Sequence, residues 1–148
     1  YGFPNLVDND WLYGGTAEAI KSSVANGRRG QMPAWGDALG DNGVDAVANY
    51  VLKLAGEKHN STRAGQGEAL YMASCAACHG NDGAGNQQLG APNLTDKIWL
   101  YDNPNESLIA DIRHSIKFGR AGNMPAWQEI LGEEKVHIIS AYVYSKAK

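Results

Sequence analysis

The sequence has few cysteines, no excess of basic residues and no long apolar run, and each absence excludes a class of protein. Two cysteines among 148 residues cannot supply a disulfide-dense scaffold or a four-cysteine zinc site. With 13 basic and 16 acidic residues, the chain lacks the basic surface typical of a nucleic-acid-binding protein. No stretch approaches about 18 consecutive apolar residues, so no segment of this sequence is predicted to span a membrane.

What the chain does contain is enough apolar residue for a core and an unusual amount of glycine. Apolar residues make up 43% of the chain, and 18 residues are glycine, which predicts many turns and close backbone contacts. The length allows one domain or two small ones. The first residue is Tyr1 rather than Met, which is consistent with a processed, trimmed or excised chain.

The chain contains two related units. Residues 4–13 (PNLVDNDWLY) match residues 92–101 (PNLTDKIWLY) at seven of ten positions, with an offset of 88. Residues 27–35 (GRRGQMPAW) match residues 119–127 (GRAGNMPAW) at seven of nine positions, with an offset of 92. Such a repeat marks a duplicated structural unit. The first unit lacks a counterpart of residues 62–91, the segment that holds both cysteines.

Helical patterns dominate both units, and no segment alternates as a strand does, so the predicted fold class is all-α. Residues 66–78 favour helix by composition. Asn103 is a predicted N-cap, and Thr16 is predicted to cap a helix in the first unit. Further helices are predicted over 43–54 and 133–146. We expect an incomplete unit over 1–55, a linker over 56–65 and a complete domain over 66–148.

The motif that carries chemistry is Cys75-Ala76-Ala77-Cys78-His79, a C-x-x-C-H sequence. This is the attachment signature of c-type haem. Two thiols one helical turn apart can add to the two vinyl groups of one porphyrin, and the adjoining imidazole is then held under the iron. The cysteines are used up by this motif, so a zinc site would lack ligands, and the βαβ context of a thioredoxin-like motif is absent.

A six-coordinate haem needs a second axial ligand, and Met is a common one. Met124 lies in the loop Gly122-Asn123-Met124-Pro125, 45 residues after His79, and is the first choice. Met32 occupies the same place in the first unit, and ligation of the haem on His79 by Met32 is the alternative. Arg120 is a candidate partner for a haem propionate, since Arg suits bidentate recognition of carboxylates.

Residues 62–148 resemble a class I cytochrome c domain, and the tandem blocks are similar to the dihaem subunit III (CcoP or FixP type) of cbb3-type cytochrome c oxidases. The resemblance implies the class I cytochrome c fold and places thioether links at Cys75 and Cys78. It implies a hydrogen bond from His79 to the carbonyl of Pro92. It also places Trp99 and Trp127 in the haem crevice.

In the first helix of that fold, Gly67 and Tyr71 are expected to cross the terminal helix near Ile139 and Tyr142. This packing is implied by the resemblance alone.

The resemblance also implies a function. The expected role is electron transfer, not catalysis by this polypeptide, from a donor cytochrome c to the oxidase catalytic subunits on the periplasmic side of the bacterial inner membrane. One covalent haem c is expected here, and a second only if an upstream segment exists. Membrane contact is expected only through an anchor N-terminal to Tyr1, and no nucleic-acid partner is expected. The alternatives are a free soluble periplasmic shuttle and a haem peroxidase with an open distal site.

Overall fold

The computed structural model describes residues 3–147, and most of this part of the chain is helical. The helices are α1 (Ala17–Asn26), α2 (Gly36–Leu54), α3 (Ser61–Ser74), α4 (Ala76–His79), α5 (Leu108–Phe118) and α6 (Gln128–Lys146). Two short strands, β1 (Arg28–Met32) and β2 (Arg120–Met124), join them. The prediction of a helical fold is confirmed, and the sheet is an addition to it. None of the helices in this described part has the length and apolar character needed to cross a membrane.

One predicted helix start is confirmed and another is wrong. The Thr16 side chain accepts a hydrogen bond from the Ala19 N–H at 3.2 Å and caps α1. Asn103, in contrast, lies several residues before α5, which begins after Ser107. The Asn103 side chain instead accepts a hydrogen bond from the Asn105 N–H at 3.1 Å within a turn, so its local bond competes with capping a helix.

The longest helices of the two units are bent at matching glycines. Gly40 in α2 has φ of 62°, and Gly132 in α6 has φ of 77°. Both values lie in the left-handed region that glycine tolerates without strain. The predicted segments 43–54 and 133–146 therefore correspond to the straight part of each helix beyond the bend, and a further short turn precedes each.

The two units exchange their long helices. Helix α2 of the first unit packs against α3 and α5 of the second, whereas α6 of the second unit packs against α1 of the first. At the α2–α3 contact, the ring centroids of Tyr50 and Tyr71 lie 5.1 Å apart. Val47 and Tyr71 are fully buried there, and burial of one such side chain contributes about 1.5–3 kcal/mol. The main core therefore combines both units.

The predicted crossing of Gly67 and Tyr71 with the terminal helix near Ile139 and Tyr142 is wrong. Gly67 lies instead against the backbone of Ala46 in α2, where an added Cβ would collide with the Ala46 carbonyl oxygen. The reason is the duplication itself. Helices α2 and α6 derive from the same repeat and present similar faces, so the sequence pattern alone does not determine which of them α3 selects.

The helix predicted over 66–78 begins earlier in the structure. Helix α3 begins at Ser61, inside the segment 56–65 that was predicted as a linker. Asn60 caps α3 by accepting a hydrogen bond from the Arg63 N–H at 3.1 Å. The Asn60 N–H in turn donates to the side-chain oxygen of Asn49 in α2 at 2.8 Å. The connection is therefore a tight turn fixed to α2, and not a flexible spacer.

Strands β1 and β2 form an antiparallel pair around the centre of the repeat. Gly30 faces Gly122 in the register, and Met32 faces Arg120. The symmetry of the strand pair continues in the residues that follow each strand. The Trp35 N–H donates to the Ile116 carbonyl at 2.9 Å, and the Trp127 N–H donates to the Val24 carbonyl at 3.1 Å. The tryptophan that follows each strand is thus hydrogen-bonded to a helix of the other unit.

Ion pairs support the exchanged helix at its exposed side. Asp45 of α2 pairs with Arg63 of α3 at 3.3 Å and with Arg113 of α5. Lys117 of α5 pairs with Asp41 of α2 at 2.6 Å, and this contact lowers the pKa of Asp41. These contacts add to the apolar seam, although exposed pairs of this kind contribute little individually.

The close approach at Gly67 gives a direct test of the exchanged packing. Gly67→Ala should lower the free energy of unfolding by about 3 kcal/mol, because the added methyl group must separate two backbones. Gly65 lies in the same helix with nothing within 4 Å of an added Cβ. Gly65→Ala is therefore the matched control, and should be neutral or stabilising by up to about 1 kcal/mol. Equal effects in urea unfolding would contradict the α2–α3 contact.

Candidate haem-binding site

The C-x-x-C-H motif is formed by the end of α3 and the short α4. The Cys75 N–H donates to the Tyr71 carbonyl at 2.8 Å, and the His79 N–H donates to the Cys75 carbonyl at 3.0 Å. This helical path holds both sulfurs and the imidazole within little more than one turn. Cys75 and Cys78 are free thiols, the first buried and the second exposed. Burial raises the pKa of the Cys75 thiol to about 11, with a smaller contribution from Cys78.

The imidazole of His79 is oriented by the carbonyl of Pro92. The His79 Nδ1 atom lies 3.1 Å from the Pro92 oxygen. With Nδ1–H as the donor to this carbonyl, the lone pair of Nε2 is free for a metal. Burial lowers the pKa of His79, and the hydrogen bond to Pro92 opposes that shift. The net shift favours the neutral imidazole, which is the form that ligates iron.

The loop that carries Pro92 is tied to the motif itself. The Gly85 N–H donates to the His79 carbonyl at 2.8 Å, and the Leu94 N–H donates to the Gly83 carbonyl at 2.7 Å. The buried Tyr71 hydroxyl donates to the Gly80 carbonyl at 2.8 Å. Desolvation raises the pKa of Tyr71, so the hydroxyl remains a donor. Backbone hydrogen bonds on both sides of Pro92 therefore fix its carbonyl relative to the imidazole.

Apolar side chains from both units pack on the core cluster that includes Cys75. Buried Cys75 belongs to the main core cluster, together with Tyr71, Ile112 and Ile116. Half-buried apolar side chains pack against that cluster, and they come from the first unit as well as the second: Met32, Trp35, Leu39, Leu54, Leu70, Leu94, Trp99, Leu108 and Ile109. The first unit therefore contributes a thioether and an indole to the packing around this cluster.

The structure separates the two candidate methionines. Met32 packs against the cluster that contains Cys75. Met124 is the last residue of β2 and is 39% exposed. Its carbonyl lies beside Gly27 at the end of α1, where an added Cβ would collide with it. Of the two tryptophans assigned to the crevice, Trp99 packs against the core cluster. The backbone N–H of Trp127 donates to the Val24 carbonyl of α1 in the first unit.

Arg120 lies at the start of β2 and lines a cavity. Its guanidinium stacks over the Tyr101 ring at 4.2 Å, and its Nε donates to the Ser115 hydroxyl at 2.9 Å. Arg120 and Tyr101 line a cavity of about 390 Å³ together with His114. The guanidinium is thus held in place and keeps N–H donors that could bind an anion. This arrangement agrees with the predicted role of Arg120 as the partner of a carboxylate.

Sequence reasoning gave Trp35 no role and ranked Met32 second. The signal that favours both is the repeat, because Met32 and Trp35 align with Met124 and Trp127. The alignment alone does not show that β1 and β2 pair across the two units. This pairing places each methionine beside the opposite unit.

The residues around the motif fit a haem. Two free thiols, an imidazole oriented by Pro92, and a thioether packed on the apolar cluster that contains Cys75 match the groups that hold an iron porphyrin covalently and ligate its iron. The helical fold and this donor set are those of a class I cytochrome c.

Comparison with known proteins narrows the class. A family model described as "Cytochrome C oxidase, cbb3-type, subunit III" matches residues 2–51 and 62–143. The chain belongs to this family.

Relatives agree with the family assignment. The chain is 47% identical to the "Cbb3-type cytochrome c oxidase subunit CcoP" of Rubrivivax gelatinosus, over 97% of the chain and 46% of that protein. It is 43% identical to the corresponding FixP subunit of Bradyrhizobium diazoefficiens, over 97% of the chain and 52% of that protein. The chain therefore spans about half the length of the curated relatives it matches.

A cluster of carboxylates beside the proximal loop yields a pH-dependent prediction. Asp10 and Asp96 line a cleft of about 360 Å³ between residues 9–12 and the loop with Pro92. Burial raises the pKa of Asp10 above 3.8, and Asp96 and Asp8 raise it further. The folded state thus disfavours the ionised form, so stability falls as the pH rises from about 3.8 through the raised pKa.

Asp10→Asn should therefore increase the free energy of unfolding at pH 7, by no more than about 0.5 kcal/mol because solvent screens the repulsion at this partly exposed carboxylate. The gain should vanish near pH 3, where Asp10 is protonated in the folded and the unfolded states. Urea unfolding at the two pH values measures both. An equal gain at both would contradict electrostatic repulsion as the cause.

Proposed function

We propose that this chain is an electron-transfer module that holds one haem c on Cys75, Cys78 and His79. The observation that supports this most strongly is the orientation of the His79 ring by the Pro92 carbonyl at 3.1 Å, directly beside two unpaired thiols. When bound, haem c supplies a one-electron ferrous–ferric couple. The chain supplies the ligands, excludes water with the apolar cluster that contains Cys75 and keeps the site rigid.

Met32 is the proposed distal ligand, in place of Met124. Its packing against the core cluster around Cys75 supports this choice, as does the crossing of β1 and β2. A thioether opposite a histidine favours the reduced iron and fills the coordination sphere. No coordination site is then left for a substrate, which favours electron transfer over peroxidase chemistry.

Membership of this family supports a proposal for the partners. We propose that the protein passes electrons from a donor cytochrome c to the catalytic subunits of a cbb3-type oxidase, on the periplasmic side of the bacterial inner membrane. The polypeptide itself would carry electrons rather than reduce oxygen. Covalent haem on this chain is proposed only at the motif after α3; a second haem, near Met124 and Trp127, would need an upstream segment with its own C-x-x-C-H.

The two methionines provide a matched pair of variants. Met32→Ala should lower the reduction potential by about 0.1 V or more, because a thioether ligand is lost. It should also open the iron to carbon monoxide. Met124→Ala should leave the reduction potential within about 0.03 V of the value for the unaltered protein, because no ligand of this haem is removed. Redox titration of the haem-loaded proteins measures this.

Two results would contradict the proposal in different ways. A large potential shift in Met124→Ala alone would assign the distal position to Met124. If mass spectrometry finds no haem on the peptide with Cys75 and Cys78, the proposed electron-transfer function is contradicted. Rapid binding of carbon monoxide by the unaltered reduced protein would favour a peroxidase-type site instead.

A further inference from the structure

A small hairpin immediately precedes Pro92. The Asn86 N–H donates to the Ala91 carbonyl at 2.9 Å, and the Ala91 N–H donates back at 3.0 Å. Gly90, at its end, has φ of 69°. Residues 87–89 at its tip are exposed. Because Pro92 is the next residue after this ladder, the hairpin is one of the supports of the carbonyl that orients His79.

The hairpin is held from outside by the first unit. Tyr13 lies so close to Gly90 that an added Cβ would collide with its ring. The Gln87 side-chain amide donates to the Trp11 carbonyl at 3.1 Å. Both contacts join residues more than 70 positions apart in the chain, so they depend on the interlocked arrangement of the units.

Tyr13 is itself rigidly placed. The Arg28 guanidinium lies 4.7 Å from the centroid of its ring, and the Arg28 Nε donates to the Ser23 hydroxyl at 2.8 Å. Gly30 of β1 lies beside the Tyr13 hydroxyl, with an added Cβ at 3.1 Å from its oxygen. The ring is thus fixed by α1 and β1 on one side and pressed against Gly90 on the other.

We infer that Tyr13 is a positioning residue for the proximal ligand: it clamps the hairpin 86–91 and thereby holds the Pro92 carbonyl on His79. The inference rests on the proposed function, since it concerns how His79 is presented to iron. Partners of a ligating histidine fix its ring orientation and basicity. Here one such partner is fixed by a residue of the other unit, which ties the ligand on the second unit to the folding of the first.

The test uses the whole chain loaded with haem. In the reduced protein, the exchange of the His79 Nδ1 proton with solvent is measured by NMR. Tyr13→Ala should accelerate this exchange at least tenfold, because the hairpin opens more often. Tyr13→Phe retains the ring and should stay within threefold of the unaltered protein.

Tyr101 provides the matched control. It is the repeat partner of Tyr13 and is stacked in the same way under Arg120 at 4.2 Å. Tyr101→Ala removes the same side chain and the same cation–π contact, but should leave the exchange within twofold. Equal acceleration in the two alanine variants, or no acceleration in Tyr13→Ala, would overturn the inference.

If Tyr13→Ala yields no folded haem protein, Gln87→Ala takes its place. Gln87 is exposed, and the variant removes only the hydrogen bond to Trp11, so at least threefold acceleration is expected and an unchanged rate would overturn the clamp. A separate observation would show that the proposed function is wrong: the unaltered protein would carry no covalent haem. If only the clamp is wrong, the haem and its spectrum remain intact.

Discussion

The close contact between α3 and α2 is the constraint on which the rest of the structure depends. Gly67 brings the two helix backbones together at Ala46, and Tyr50 and Tyr71 close the seam beside it. Because α2 follows directly after β1, seating α2 on α3 draws Met32 and Trp35 into the core around Cys75. The architecture of the site is therefore decided by helix packing between units, and not by the motif alone.

The repeat gives α6 a face that matches the buried face of α2, but this face of α6 is exposed. In α6, Ile139 and Tyr142 align with Val47 and Tyr50 of α2. The α2 residues are 0% and 5% exposed, whereas the α6 residues are 39% and 63% exposed. Within the described residues, α6 thus presents the face that α2 buries against α3. Among residues 3–147, α6 packs mainly against α1, and this face of α6 stays exposed.

Much of the chemistry could be predicted from the sequence because it depends on neighbouring residues. The C-x-x-C-H spacing places thiols and imidazole on one helical turn, and the hydrogen bond from His79 to Pro92 is present as the resemblance implied. The Thr16 cap was equally local. The strands were missed because RRGQM and RAGNM contain no β-branched residue and no apolar alternation; their pairing comes from the twofold relation of the repeats. The exchange of helices could not be predicted, since duplicated helices carry similar faces.

We propose that the first unit, through Met32, supplies the distal sulfur to the haem on the second. In the reduced, haem-loaded protein, the methyl group of a ligating methionine is shifted strongly upfield by the ring current of the porphyrin. NMR of methyl-labelled methionine in the unaltered chain, with Met32→Leu and Met124→Leu for assignment, tests this directly. We expect one such signal, lost in Met32→Leu and retained in Met124→Leu. A signal that disappears only in Met124→Leu would contradict the account.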